Sequence, residues 1–331
     1  MISPSISVVV PLHNEQAVLP ELLRRICSVL DAIPGAGHEM VFVDDGSSDA
    51  TLQILEAAAH ADSRISIIVL ARNFGHQAAL SAALDHVSGD VTVILDGDLQ
   101  DPPESIPALV AKFQDGYDVV YAQRTGRKEG IALKLAFFLF YRLMKTFSDT
   151  HLPLDAGDFG LVSRRVVQLL RSMPEHHRYL RGMRSWVGLR QVGIPIERSQ
   201  RFAGESKYGF IRYLKLASDA MFSFSTVPIR AAALLGFITV SFSALFALYS
   251  VIAKVVFNQS PKGFTALILV LTFLGGTLLF FLGIIGEYVG RVYEEVKARP
   301  LYVVEKIIGN ASFVRANSTP RSPRNTSFES R

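Results

Sequence analysis

Short apolar runs alternate with amphipathic stretches over the first 125 residues. Between the runs, apolar residues recur at helical spacing, as in the stripe from Val18 to Ile33. The runs are rich in β-branched residues and predict five strands at Ile6–Val10, Met40–Val43, Ile65–Leu70, Val91–Leu95 and Asp118–Ala122. Strands and helices that alternate with short connections predict an α/β layered sheet that is mostly parallel.

The second half of the chain has a different pattern. Ala231–Ala253 and Phe264–Ile285 are each just over twenty residues long and nearly free of charge. Each is long enough to span a bilayer, which takes about 20 apolar residues. More basic residues flank the outer ends of the pair than lie in the short loop between them, which predicts that both termini are cytoplasmic.

Two further stretches, near 130–147 and 210–225, mix apolar and basic residues. This mixture predicts amphipathic helices in the membrane interface, and a buried core helix is the alternative for the first stretch. The predicted organisation has three parts: a cytoplasmic α/β domain over 1–228, a two-helix transmembrane hairpin over 229–290, and a cytoplasmic segment over 291–331, disordered from about 310.

Composition narrows the class of protein. Hydrophobic residues make up 49% of the 331 positions, and their excess lies after Pro228, which indicates a membrane part. Cys27 is the single cysteine, so no intrachain disulfide can form. The net charge is +4 with no run of basic and aromatic residues, so we expect no nucleic-acid partner. The start of the chain has no basic, apolar signal-peptide pattern.

Acidic residues follow the ends of several predicted strands. Asp96 and Asp98, two residues apart after the fourth strand, could share one Mg²⁺ or Mn²⁺ ion that holds a diphosphate, and Gln100 could add a neutral oxygen. Asp44 or Asp45, after the second strand, could accept hydrogen bonds from a ribose or a base. The alternatives are polar turns and helix N-capping. The first strand–helix turn lacks G-x-G-x-x-G, which disfavours a Rossmann dinucleotide site.

Four motifs carry a family resemblance. The segments VVVPLHNE, VDDGSSDAT, ARNFGHQAAL and ILDGDLQDPPE resemble family 2 inverting glycosyltransferases with the GT-A fold, over roughly residues 5–300. The most similar branch transfers one sugar from a nucleotide-sugar to a polyprenyl phosphate. The resemblance implies that the nucleotide is held by Pro11, Glu15 and Asp44, and that the metal and diphosphate are held by Asp96, Asp98 and Gln100. Arg124, after the fifth strand, is a candidate second cation on the diphosphate.

The acceptor side rests on two later segments. An aspartate of the stretch DAGDF lies near the acceptor in the family, which favours Asp158 and keeps Asp155 as second choice. The segment RFAGESKY resembles the acceptor loop R-x-x-G-x-S-K, which implies that Arg201, Ser206 and Lys207 bind the acceptor phosphate; a solvated loop is the alternative.

The predicted reaction needs little base catalysis. A phosphate monoester has a second pKa of about 6 and is largely ionised at neutral pH. We therefore expect Asp158 to orient the acceptor or the sugar, or to act as a weak base, and its loss to cost less activity than loss of Asp96 or Asp98. Attack from the opposite face inverts the anomeric centre without a covalent sugar–enzyme intermediate.

The sequence thus predicts a metal-dependent hexosyltransferase at the cytoplasmic face of the cell membrane, with UDP-glucose as the preferred donor. Expected partners are the nucleotide-sugar, a polyprenyl phosphate, the membrane, a second copy of the chain, a flippase and a downstream glycosyltransferase. A processive polysaccharide synthase or other membrane glycosyltransferase is the alternative, but Arg184-Ser185-Trp186 does not match the Q-x-x-R-W motif of the synthases. A non-catalytic nucleotide-sugar-binding membrane protein is the third class.

Overall fold

The computed structural model describes residues 3–35, 37–124, 156–197, 227–257 and 263–309. These residues fall into two compact units. The first unit comprises the described residues up to 124 together with 156–197 and 300–309, and the second comprises 227–257 and 263–299. Several sequence predictions lie outside the described residues: the interfacial helices, the disordered tail, Asp155, Arg201, Ser206 and Lys207.

The first unit is built on an eight-stranded mixed sheet. Its strands are β1 (Ile6–Leu12), β2 (Glu39–Asp44), β3 (Ile65–Leu70), β4 (Val91–Ile94), β5 (Val119–Arg124), β6 (Ala156–Ser163), β7 (Gln191–Ile196) and β8 (Val304–Ile308). The order across the sheet is β7-β5-β6-β4-β1-β2-β3-β8. Every residue of β1 and β3 is buried, as their continuous β-branched runs predict for strands covered on both faces.

In the described part of this unit, six α-helices cover the sheet. They are α1 (Leu19–Ala32), α2 (Thr51–Ala61), α3 (His76–His86), α4 (Ile106–Gln114), α5 (Arg164–Ser172) and α6 (Leu180–Trp186). The predicted apolar stripe of α1 is its buried face, which contributes Leu22, Ile26 and Leu30 to the core. The alanine-rich α3 is buried from Ala78 to Leu84, because small side chains let a helix pack closely on the sheet.

The five predicted strands are present and run in one direction, as expected for a mostly parallel sheet, but two further strands, β6 and β8, make the sheet mixed. β1 pairs in parallel with β2 and β4, β2 with β3, and β5 with β7. β6 is antiparallel to both β4 and β5, and β8 is antiparallel to β3. The reason is topological: β6 and β8 each begin at the edge of the sheet where their neighbours end, whereas a parallel partner needs a crossover.

The described part of the second unit contains two long helices, α7 (Val227–Phe257) and α8 (Phe264–Lys297). They contain the two stretches predicted as membrane spans, and many of their large apolar side chains are exposed. Among the described residues, one helical stretch, Val270–Lys297, is long and apolar enough to cross a membrane, and Ala232–Phe246 is a shorter apolar stretch. A transmembrane hairpin of two spans therefore stays a prediction.

Candidate active site

The candidate site lies at one edge of the sheet, which we name the carboxyl edge because β1, β2, β3 and β4 all end there. β6 begins at the same edge, since Gly160 is opposite Ile94 in the antiparallel ladder. Open α/β sheets bind ligands just beyond the carboxyl ends of their strands. The topology thus brings together residues far apart in sequence: Asp44, Asp45, His76, Asp96, Asp98 and Asp158.

The turn after β4 carries the residues predicted to bind metal. Gly97 permits this turn, because a Cβ atom there would lie 2.5 Å from Cδ2 of the buried Leu12. The turn can therefore pass close to the end of β1 with Asp96 and Asp98 on either side of the glycine. Oδ1 of Asp98 accepts a hydrogen bond from the main-chain N–H of Gln100 at 3.1 Å.

A histidine and two aspartates form a potential metal-binding group. Nε2 of His76 lies 3.6 Å from Oδ1 of Asp96 and 3.7 Å from Oδ2 of Asp158, and the three ligand atoms lie within 4.8 Å of one another. The carboxylates fit Mg²⁺ or Mn²⁺, which prefer oxygen ligands. His76 was not among the site residues predicted from the sequence, although it follows the end of β3 as Asp44 lies at the end of β2 and Asp96 follows β4.

The electrostatics of this group also fit a cation. The side chain of Asp96 is 20% exposed. Burial raises the pKa of Asp96 to about 6; His76 opposes the rise, and the nearby carboxylates Asp158, Asp101 and Asp98 add to it. Burial lowers the pKa of His76, but Asp158 and Asp96 outweigh burial and leave it above its ordinary value. A divalent ion would relieve the repulsion between these carboxylates.

Arg181 binds the third member of the group. Its Nε donates to Oδ1 of Asp158 at 2.6 Å, and its Nη2 donates to Oδ2 at 2.7 Å. Burial raises the pKa of Asp158, but Arg181 and His76 outweigh burial and hold it well below its usual range. Because both oxygens of Asp158 already accept hydrogen bonds, Asp96 is the better placed of the two for an ion.

A second arginine lies behind the first. Arg184 is 3% exposed, and its Nη2 donates to the carbonyl of Gly157 at 3.3 Å. Burial lowers the pKa of Arg184 to about 10. Arg181 and Arg184 were not among the site residues predicted from the sequence. The available signal was two arginines three residues apart, a spacing that places both on one face of a helix.

Asp44 offers a free acceptor for a ligand. It is 1% exposed, and its Oδ2 accepts a hydrogen bond from the main-chain N–H of Ser47 at 3.4 Å. Its Oδ1 is buried and accepts no hydrogen bond from the part of the chain that the structure describes. Burial raises the pKa of this carboxyl. A buried acceptor without a donor is costly, so this oxygen suits an N–H or O–H group of a ligand.

Asp45 has a different environment from its neighbour. Its two oxygens accept hydrogen bonds from the main-chain N–H groups of Phe74 and Gly75, at 2.7 and 2.9 Å. The β2 turn touches the same loop, since a Cβ atom on Gly46 would lie 2.7 Å from the main chain of Arg72. These contacts favour a positioning role for Asp45, which shapes the loop that leads to His76.

The other predicted nucleotide-binding residues also lie at the carboxyl edge. Pro11 is buried near the end of β1, and Glu15 is half-buried in the turn that follows. The main-chain N–H of Glu15 donates to Oγ1 of Thr51 at 2.9 Å, which ties this turn to the start of α2. Arg124 is the last residue of β5, opposite Ile196 of β7. Their roles stay predictions.

Comparison with known proteins identifies the family. The sequence model of "Glycosyl transferase family 2" matches residues 7–170. The chain is 39% identical to "Uncharacterized glycosyltransferase YkcC" of Bacillus subtilis, with 92% of this chain and 94% of the relative covered. It is 38% identical to the "SfII prophage-derived bactoprenol glucosyl transferase" of Shigella flexneri, with 91% and 97% covered.

A third relative carries a different sugar in its name. The chain is 35% identical to the "Undecaprenyl-phosphate 4-deoxy-4-formamido-L-arabinose transferase" of Shewanella sediminis, with 92% of each chain covered. Identities above 30% over nine-tenths of the chain, together with the family match, identify both the family and the general activity. The chain therefore belongs to glycosyl transferase family 2 and is a glycosyltransferase built on a GT-A type α/β fold with a mixed sheet.

Proposed function

We propose that the protein transfers one sugar from a nucleotide-sugar to a polyprenyl phosphate, with inversion, at the cytoplasmic face of the cell membrane. The observation that carries the proposal is the carboxyl edge, where the buried oxygen of Asp44 without a described donor lies at the end of β2 and the crowded carboxylate of Asp96 follows β4, the two strands on either side of β1. The names of the Shigella and Shewanella relatives support the lipid acceptor.

On the donor side, each residue has a distinct task. Asp44 accepts a hydrogen bond from the base or ribose, next to Pro11 and Glu15. Asp96, Asp98 and Gln100 would hold Mg²⁺ or Mn²⁺, which supplies Lewis-acid stabilisation of the departing diphosphate when bound. Arg124 would place a further positive charge on the same diphosphate. The Shigella relative favours glucose as the sugar, and UDP-glucose is the preferred donor.

On the acceptor side, the nucleophile is already charged. The phosphate of the lipid has a second pKa of about 6, so it attacks the anomeric carbon without a strong base. Asp158, which already binds Arg181 with both oxygens, orients this step and does not drive it. Arg201, Ser206 and Lys207 are the proposed phosphate ligands, and Asp155 is the second candidate near the acceptor.

The directions of the strands support a membrane-facing site. β5 and β7 are the last described strands before the segments assigned to the second unit, and β6 and β8 are the first described strands after them. The ends of β5 and β7 and the starts of β6 and β8 all lie at the carboxyl edge, because β6 and β8 run opposite to their neighbours. We therefore propose that the carboxyl edge faces the bilayer, where the head group of a polyprenyl phosphate lies.

A transfer assay tests the proposal. Purified protein in detergent receives undecaprenyl phosphate, Mg²⁺ or Mn²⁺ and a panel of radiolabelled nucleotide-sugars, and lipid is extracted. We expect label in the organic phase with UDP-glucose, and its loss on chelation or in Asp98→Asn. Asp158→Asn should retain more activity than Asp98→Asn, and Asp115→Asn, an exposed aspartate, is the matched control.

Three outcomes would contradict parts of the proposal. Label in a macromolecule would favour a polysaccharide synthase or protein-directed enzyme. A donor that binds without being consumed would favour a binding protein. Equal, complete loss in Asp158→Asn and Asp98→Asn would overturn the idea that the acceptor needs little base catalysis.

A further inference from the structure

We infer that Arg181 is a positioning residue of the transfer reaction: it fixes the Asp158 carboxylate beside His76 and Asp96. The inference rests on the proposed function. It goes beyond the proposed function because Arg181 lies on α6, outside the sequence motifs assigned to the donor and the acceptor.

The contact between Arg181 and Asp158 is a bidentate salt bridge. The hydrogen bonds of 2.6 and 2.7 Å join the two nitrogens of one guanidinium edge to the two oxygens of one carboxylate. The side chain of Asp158 is 10% exposed and that of Arg181 is 28% exposed. A bidentate pair of this kind restricts both the rotation and the position of the carboxylate.

The helix that carries Arg181 is itself tied to the site. The main-chain N–H of Leu180 donates to Oε1 of Gln77 at 2.9 Å, one residue after His76 on α3. Nη1 of Arg178 donates to Oγ of Ser81 on α3 at 3.1 Å. These contacts hold the start of α6 against α3, so His76 and Arg181 approach Asp158 from two mutually fixed helices.

Arg184 also contributes to the position of Asp158, through the main chain of β6. Its guanidinium bonds the carbonyl of Gly157, the residue before Asp158, and lies 5.5 Å from the ring centre of Tyr121. A buried cation beside the main chain of β6 limits the movement of Asp158. The ion pair of Arg181 and Asp158 lies at the candidate site, since Oδ2 of Asp158 is 3.7 Å from Nε2 of His76. An ion pair needed only for folding would not have to lie there.

The experiment uses Arg181→Ala in the full chain, with the lipid-transfer assay and with folded protein quantified by gel filtration and thermal unfolding. We expect kcat per folded molecule to fall about 10- to 100-fold, as for other losses of a positioning contact, and the donor KM to change little. Added guanidinium ion should restore part of the activity by occupying the space of the missing side chain, whereas urea, which is uncharged, should not.

Two further variants separate positioning from folding. Arg181→Lys keeps the positive charge but cannot make the two parallel hydrogen bonds to Asp158. We expect it to fold and to have a kcat between those of wild type and Arg181→Ala. In Asp158→Asn/Arg181→Ala, guanidinium should restore nothing, and kcat should fall no further than in the more damaged single variant. Arg165→Ala, an exposed arginine on α5, is the matched control.

The inference is overturned if wild-type protein transfers sugar to lipid and Arg181→Ala does so with unchanged kcat per folded molecule. It is also overturned if guanidinium restores the double variant as well as the single one. A wild-type protein that transfers no sugar to lipid with any donor overturns the proposed function and this inference together, so the two failures are distinguishable.

Discussion

At the scale of single residues, four aspartates of the candidate site have different environments because their hydrogen-bonding and charged neighbours differ. Both oxygens of Asp45 accept hydrogen bonds from main-chain N–H groups, and both oxygens of Asp158 accept hydrogen bonds from Arg181. Asp44 keeps one buried oxygen without a described donor. Asp96 lies among other carboxylates. The sequence predicted that this group of residues would be functional, but the partners of each carboxylate come from distant segments.

Asp96→Asn should stabilise the metal-free protein at neutral pH. The folded-state pKa of about 6 exceeds the usual value of about 3.9, so the stability that Asp96 contributes when protonated is lost as pH rises through about 6. A shift of about two pKa units corresponds to about 2–3 kcal/mol. Denaturant unfolding with a chelator at pH 7.5 should show the gain for Asn, and the difference should shrink toward pH 4.

The control for this measurement is Asp115→Asn, because Asp115 is exposed. Its effect on the free energy of unfolding should be small at both pH values. A metal-free Asp96→Asn protein that is less stable than wild type at pH 7.5 would show that the carboxylate cluster is not strained.

At the scale of elements, β8 completes the sheet from a segment far along the chain. Its residues pair with β3, and the carbonyl of Val303 accepts a hydrogen bond from Ala71 at 2.9 Å. The hydroxyl of Tyr302 donates to Asp85 of α3 at 2.8 Å. From the sequence this stretch is predicted to be a C-terminal segment without a strand, because five residues with two adjacent charges and no alternation of polarity carry little signal without their partner strand.

A pair of truncations tests this element. Ending the chain after Pro300 removes β8 and exposes the edge of β3, whose residues Ile67, Ile68 and Val69 are buried. An uncovered, apolar edge strand favours aggregation, so we expect this variant to lose monodispersity and thermal stability. Gel filtration in detergent and thermal unfolding are the measurements.

The matched control ends the chain after Gly309, which retains β8. It should behave like the full chain, because β8 and its pairing with β3 are retained. Equal stability of the two truncated proteins would contradict the structural role of β8.

At the scale of the whole molecule, the carboxyl edge has two properties at once. It carries the candidate site residues, and the described strands that precede or follow the segments assigned to the second unit end or begin at it. The combination follows from strand direction alone: β5 and β7 end at this edge, and β6 and β8 begin there. A lipid-linked acceptor and a water-soluble donor can meet at such an edge.

Cysteine labelling tests the predicted topology. In a Cys27→Ser background, Ser260→Cys places a thiol between α7 and α8, and Ser327→Cys places one near the end of the chain. We expect a membrane-impermeant maleimide to label Ser260→Cys in intact cells, and Ser327→Cys only after the membrane is opened, because basic residues flank the outer helix ends. Cys27→Ser alone is the control, and the reverse pattern would contradict cytoplasmic termini.

The sequence by itself determined the local features of this protein. Buried strands, amphipathic helices and the two long apolar stretches are written in patterns of adjacent residues, and so is the D-G-D turn of Asp96 and Asp98. The family motifs indicated the carboxylates of the site for the same reason. Only the tertiary structure decided the antiparallel β6 and β8 and the joining of His76, Arg181 and Asp158. These depend on contacts between segments tens to hundreds of residues apart, and no local pattern specifies which segments meet.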